Sequence, residues 1–235
     1  MPIIFISLSD TFTEKIKPYG FEAKTMKIQD YIPNKKTYYV SPANSLCFMD
    51  GGIDYALSRI IFPNIEVEVK YIVNQLNITS HVGKPYLPIG SSIIIDKDGQ
   101  RAECLQQLTQ KVTSSPEEFG KSLVVSPTML LPQNVSNTKN AYYATMAVLY
   151  NILVNRKEKK EDIDILFTSF CCGYGKMTEE DSIQQMLEGI KDYRDYTPTI
   201  IYKNIIIHEP NLREQPKYYQ NTEFFAINAQ EIINC

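Results

Sequence analysis

A chain of 235 residues, 43% hydrophobic and 22% charged, has the ordinary composition of a globular protein able to build a real core. The net charge of −3, with Lys and Arg scattered, excludes the electrostatic footprint of a nucleic-acid-binding protein. A phosphorylated ligand would therefore be held by local backbone amides and not by overall charge.

The opening "MPIIFISLSD" lacks a basic segment, and its apolar run is too short for a signal peptide or a membrane span. The five cysteines, at 47, 104, 171, 172 and 235, form no CxxC and no zinc-type spacing with His81 or His208. The expectation is a cytoplasmic, monomeric chain with reduced thiols, no membrane contact, no metal and no cofactor.

In chain order, "PIIFIS" (2–7), "KTMKI" (24–28) and "TYYV" (37–40) read as strands, followed by a glycine turn and a helix beginning near "YALSRIIF". Ile65, Val69, Ile72 and Leu76 then share one helical face. "SSIIID" (91–96) and "SLVVS" (122–126) are continuous apolar runs, as expected of strands covered on both sides. "NAYYATMAVLYNILVN" (140–155) is apolar almost all round and predicts a deeply packed helix. The charge run "NRKEKKED" (155–162) reads as its solvated end and turn. "DILFTSF" (164–170) is the next strand. Thr178 then caps a helix with Glu179, Glu180 and Asp181 in its first turn and Ile183, Met186, Leu187, Ile190 and Tyr193 on one face. "NIIIH" (204–208) is the last strand. Residues 1–208 form the expected domain, and 209–235 a C-terminal extension docked on it. Strands alternating with helices imply an α/β fold, a mostly parallel or mixed sheet between helical layers.

Two glycine loops, "MDGGID" and "CCGYGKMT", each follow a strand and precede a helix. That is where an open α/β sheet binds anionic ligands. The second is not a Walker loop, because Phe170 stands where the first glycine is required. It also lacks the third glycine of a dinucleotide fingerprint, with Thr178 at that place.

"VSPANSLCFMDGGIDYAL" resembles the signature of macro domains, the α/β/α modules that bind ADP-ribose. "PYLPIGSSIIID", "ILFTSFCCGYGKMTEEDSIQQM" and "KTMKIQDYI" are similar to three further motifs of that family, in the right order over roughly residues 24 to 193. The resemblance implies a three-layer α/β/α sandwich with a mixed central sheet. It implies that Asp30 accepts a hydrogen bond from the adenine amine, with Tyr31 against the ring. Asn44 would contact the distal ribose, and Gly51, Gly52 and Ile53 would border the diphosphate. Cys171, Cys172, Gly173, Tyr174 and Gly175 would form the second diphosphate loop.

By the same resemblance Asp54, with Asn44 beside it, is catalytic and positions water at the distal ribose. The implied partner is ADP-ribose or an ADP-ribosylated macromolecule, and the implied activity is hydrolytic removal of ADP-ribose. The alternatives are a reader that binds without cleaving, a phosphatase acting on ADP-ribose 1″-phosphate, and an interaction protein that kept the fold alone. Two departures stand out. The family's first asparagine is Ser41 or Pro42 here, and "CCGYG" replaces the usual Gly-x-Gly opening. Asp50 adds charge beside the expected diphosphate position and is expected to point outward, and Asp54 as a plain helix cap is the bland counterpart of the catalytic role.

Overall fold

The computed structural model describes residues 2–76, 78, 83–96, 120–196, 200–202 and 205–207. Within them an eight-stranded mixed sheet is built from β1 (Ile3–Ser7), β2 (Glu22–Thr25), β3 (Lys36–Ser41), β4 (Ser91–Asp96), β5 (Lys121–Val125), β6 (Ile163–Phe167), β7 (Ile200–Tyr202) and β8 (Ile205–Ile207). Its order is β2-β1-β6-β3-β5-β4-β8-β7. The first five in that order run parallel. β4, β8 and β7 add an antiparallel flank. Parallel pairing puts the carboxyl ends of β1, β6 and β3 along one edge.

β1, β3, β4, β5 and β6 are mostly buried because both faces are covered, whereas the edge strand β2, with the sequence EAKT, is polar and open. Phe5, Tyr38, Val40, Ile165 and Phe167 enter one core with α1 (Asp10–Ile16), α4 (Asn140–Leu149) and α5 (Glu179–Asp192). The alternate residues Ile6, Tyr39, Leu123, Val125 and Leu166 enter a second core with the helix face of α3 (Ile65–Gln75), through Ile65, Val69 and Val73. The short α2 (Gly52–Ala56) lies between β3 and α3. This is the three-layer α/β/α sandwich with a mixed sheet. Two helices begin as the sequence demands, since Ser9 Oγ accepts from Phe12 N and Thr178 Oγ1 from Asp181 N.

Several expectations need correcting. The strand expected over 24–28 stops at Thr25, and Ile28–Asp30 forms a 3₁₀ turn instead. The strand expected to reach 170 ends at Phe167. The helix after the first glycine loop is only five residues long before it widens into a π-helical turn, Leu57–Ile61. The helix expected over 140–155 likewise changes to π-helix over Tyr150–Asn155. β7 is a strand that the apolar pattern does not announce. The charge run 155–162 is not simply solvated. Glu158 accepts from Lys36 Nζ at 2.8 Å and Tyr38 Oη at 2.5 Å, and Arg156 holds both oxygens of Asp96. Cys104, Cys235, His81, His208 and the extension 209–235 lie outside the described residues.

Among the described residues no helix is long and apolar enough to cross a membrane, and no group of three His, Cys, Asp or Glu could hold a metal.

Candidate functional site

A cleft of about 730 Å³ runs along the carboxyl edge of the parallel strands. Residues 6–9 at the end of β1, 26–29 after β2, and 168, 169 and 171–174 after β6 all reach it. From β3 come Pro42, Asn44, Phe48 and the glycine loop 50–54, with Thr128, Met129 and Pro132 contributed after β5. Strand ends in a parallel sheet stop hydrogen bonding together, so the loops must diverge there and leave a groove.

The structure brings nine of the expected site residues to this groove: Asn44, Gly51, Gly52, Ile53, Asp54, Cys171, Cys172, Gly173 and Tyr174. Gly52 has φ of +55°, a conformation that favours glycine, with open space where a β-carbon would stand. Gly51 lies under Tyr174, whose ring carbon would be 3.8 Å from a β-carbon there. Tyr174 itself is 68% exposed, so the two loops meet across the groove through one free ring.

Three expected residues lie elsewhere. Asp30 is exposed and does not line the cleft, because the 3₁₀ turn presents Gln29 to the groove and sends the next side chain to solvent. Tyr31 is buried away from it. Its hydroxyl donates to Asp164 Oδ2 at 3.0 Å and Lys24 sits over its ring, at the start of β6 and not at its end. Gly175 supports the loop from beneath, for a β-carbon there would overlap the carbonyl of Cys171.

Asp54 is the strongly perturbed carboxyl on the groove. It is buried, and its Oδ1 accepts from Ser41 Oγ at 2.6 Å. Burial, with lesser contributions from the charges of Asp50 and Glu66, pushes its carboxyl up to about 7 against the pull of Ser41. No cation is paired with it among the described residues. Glu66 is held by Lys70 and Arg59, which keep it below the usual carboxylate range. Asp50 stands exposed on the rim. Asp54 occupies the third position of α2, in its first turn, and there its carboxylate accepts from Ser41.

Asn44 lines the groove, but its amide is turned inward. Nδ2 donates to Phe48 O at 2.8 Å and Oδ1 accepts from Phe48 N at 3.3 Å, which closes the 44–48 turn. The vicinal thiols are not activated. Burial raises Cys171 to about 12 and also raises Cys172, whose Sγ lies 3.4 Å from Phe170 O.

Sequence reasoning missed Gln29, Thr168 and the role of Ser41. Ser41 was legible in principle, since strand alternation puts it on the face of Tyr39, two residues before it. Thr168 carried no motif signal, and its hydroxyl is buried with no hydrogen-bond partner among the described residues.

A search of curated proteins finds no match. The family profile described as the macro-like domain matches residues 9–206, which span β2 to β7 and all but the last residue of β8, and leave out β1. With most of its length covered and the α/β/α sandwich in place, this chain belongs to the macro-like domain family.

Proposed function

We propose that this macro-like domain binds ADP-ribose and hydrolyses it from a modified macromolecule. The observation that carries the reading is Asp54, a buried carboxylate on the groove with a serine donor, no cation and a pKa near neutrality. Cleavage at an anomeric carbon builds oxocarbenium-like charge. A carboxylate stabilises that charge and accepts a proton from the attacking water, and a base works best with a pKa near the working pH. Water then supplies the new hydroxyl at the anomeric carbon, while the acceptor leaves with the bonding pair and takes up a proton. The diphosphate would lie against the amides of the two glycine loops.

A second reading, binding without cleavage, is favoured by Asn44. Its amide is taken up by Phe48, and Ser41 or Pro42 replaces the family's first asparagine, so no free side-chain amide stands beside Asp54. Calorimetry with ADP-ribose, followed by release of ADP-ribose from a modified protein, tests both. Binding and release support hydrolysis, binding without release on any acceptor leaves the reader, and no binding at millimolar ligand removes both.

A further inference from the structure

The two ends of the groove differ in chemistry. The sheet order puts the ends of β2 and β1 on one side and the loop after β3 on the other, with the β6 loop between them. On the β3 side lie Asn44, the glycine loop and the acids Asp50 and Asp54. On the β1 and β2 side Ile6, Leu8, Met26 and Ile28 offer apolar surface, interleaved with Ser7, Ser9 and Lys27. Leu8 is 74% exposed, an apolar side chain held over the groove with nothing covering it. Gln29 lines the same end, half-buried, and its side chain makes no hydrogen bond to another described residue. The one flat apolar part of a nucleoside diphosphate sugar is its base, and this end is the one that suits it.

We infer that Gln29, and not Asp30, reads the edge of the base, and that the groove accepts 6-amino and 6-oxo purines alike. The inference rests on the proposed binding of ADP-ribose and extends it to base selectivity. A carboxylate can only accept, so it selects a 6-amino group and opposes a 6-oxo group. A glutamine amide both donates and accepts. Towards adenine its carbonyl takes the exocyclic N–H while its NH₂ donates to a ring nitrogen, a pairing glutamine makes readily. Turned over about its last torsion, the same amide donates to the oxygen of hypoxanthine and accepts from the ring N–H beside it. Nothing within the described residues fixes which way the amide faces.

The test is calorimetric titration of the full chain with ADP-ribose and with inosine diphosphate ribose, and melting curves confirm that each variant is folded. The wild type should bind both, with dissociation constants within about three-fold, since each base satisfies both amide groups. Gln29→Ala should weaken both by about ten-fold, the equivalent of about 1.4 kcal/mol. Gln29→Glu should weaken both by about ten-fold, because a carboxylate oxygen then faces the ring nitrogen of adenine or the oxygen of hypoxanthine, an acceptor against an acceptor in each case. Wild-type binding of ADP-ribose that Gln29→Ala leaves unchanged overturns this inference alone. So does a loss seen with Asp30→Ala in its place. Failure of the wild type to bind either compound removes the functional reading and this inference together.

Discussion

The same strands end in two opposite electrostatic states. At the amino ends of β3, β5 and β6, the carboxylates of Glu158, Asp96 and Asp164 each have a partner. Glu158 holds Lys36 and Tyr38, Asp96 holds Arg156 and Ser122, and Asp164 accepts from Tyr31 with Lys35 at 3.9 Å. Their partners pull Glu158 and Asp96 below the usual carboxylate range. At the carboxyl end of β3, Asp54 has one serine and two neighbouring acids, and its pKa rises. A paired charge ties elements together and favours the ionised state. A buried charge with no cation among the described residues costs stability, and a carboxyl so perturbed in a cleft is the candidate that the proposed chemistry uses.

The largest effect that could break this comparison is catalytic. Asp54→Asn keeps size and an acceptor for Ser41, and release of ADP-ribose should fall by about two to four orders of magnitude. The wild-type rate should rise with pH through about 7, as the base loses its proton. A flat profile, or turnover that survives the substitution, would leave Asp54 merely structural.

Stability should move the other way. Between the ordinary value of 3.8 and about 7, folded Asp54 keeps a proton that the unfolded chain has lost. Its contribution therefore falls as pH rises through that window and is most unfavourable above it. Asp54→Asn should then stabilise the fold at pH 8, by up to about 4 kcal/mol, and change little at pH 4. Denaturant unfolding at the two pH values checks this, and equal effects at both would refute the account of the charge.

Glu158 should show the opposite slope. Its lowered pKa gives stability that is present above the unfolded value near 4.5 and lost as pH falls through the folded one. Glu158→Gln should cost about 1 kcal/mol at pH 7, a modest figure because the pair is partly solvated, and converge with the wild type in acid. The same unfolding series measures it. Smallest is Thr168→Val, which removes a buried hydroxyl without a partner and keeps the shape. It should raise stability by up to about 1 kcal/mol, read as a small gain in melting temperature. A fall would mean that the hydroxyl has a partner in solution.

Much of the fold was legible because burial on both faces leaves unbroken apolar runs. "FIS", "TYYV" and "SLVVS" could be nothing but covered strands, and Thr178 announced its helix. The missed boundaries have a common cause. At 26–30, 57–61 and 150–155 the chain keeps an apolar pattern while the backbone changes from strand to 3₁₀ turn, or from α to π-helix. Periodicity does not see that change, because packing decides it, against the second core at 26–30 and 57–61 and against the first at 150–155. Within the site, the glycine loops and Asp54 were visible as motifs. Asp30 was misplaced by a single residue, which is enough in a turn of three residues to exchange groove for solvent. Ser41 meets Asp54, and Thr168 reaches the groove, only in the fold.

Gly173 and Gly175 look equivalent in "CCGYG", yet the molecule treats them differently. At 175 a β-carbon would run into the carbonyl of Cys171, which also receives Met177 N, while Gly175 O receives Val135 N. At 173 there is open space and no left-handed φ. In a saturation screen, intolerance at 175 is therefore guaranteed by architecture, even in a copy that has lost every ligand. Intolerance at 173 has no architectural source and can come only from something that occupies the groove. The two positions form an internal pair, one reporting whether the loop is built and the other whether it is used.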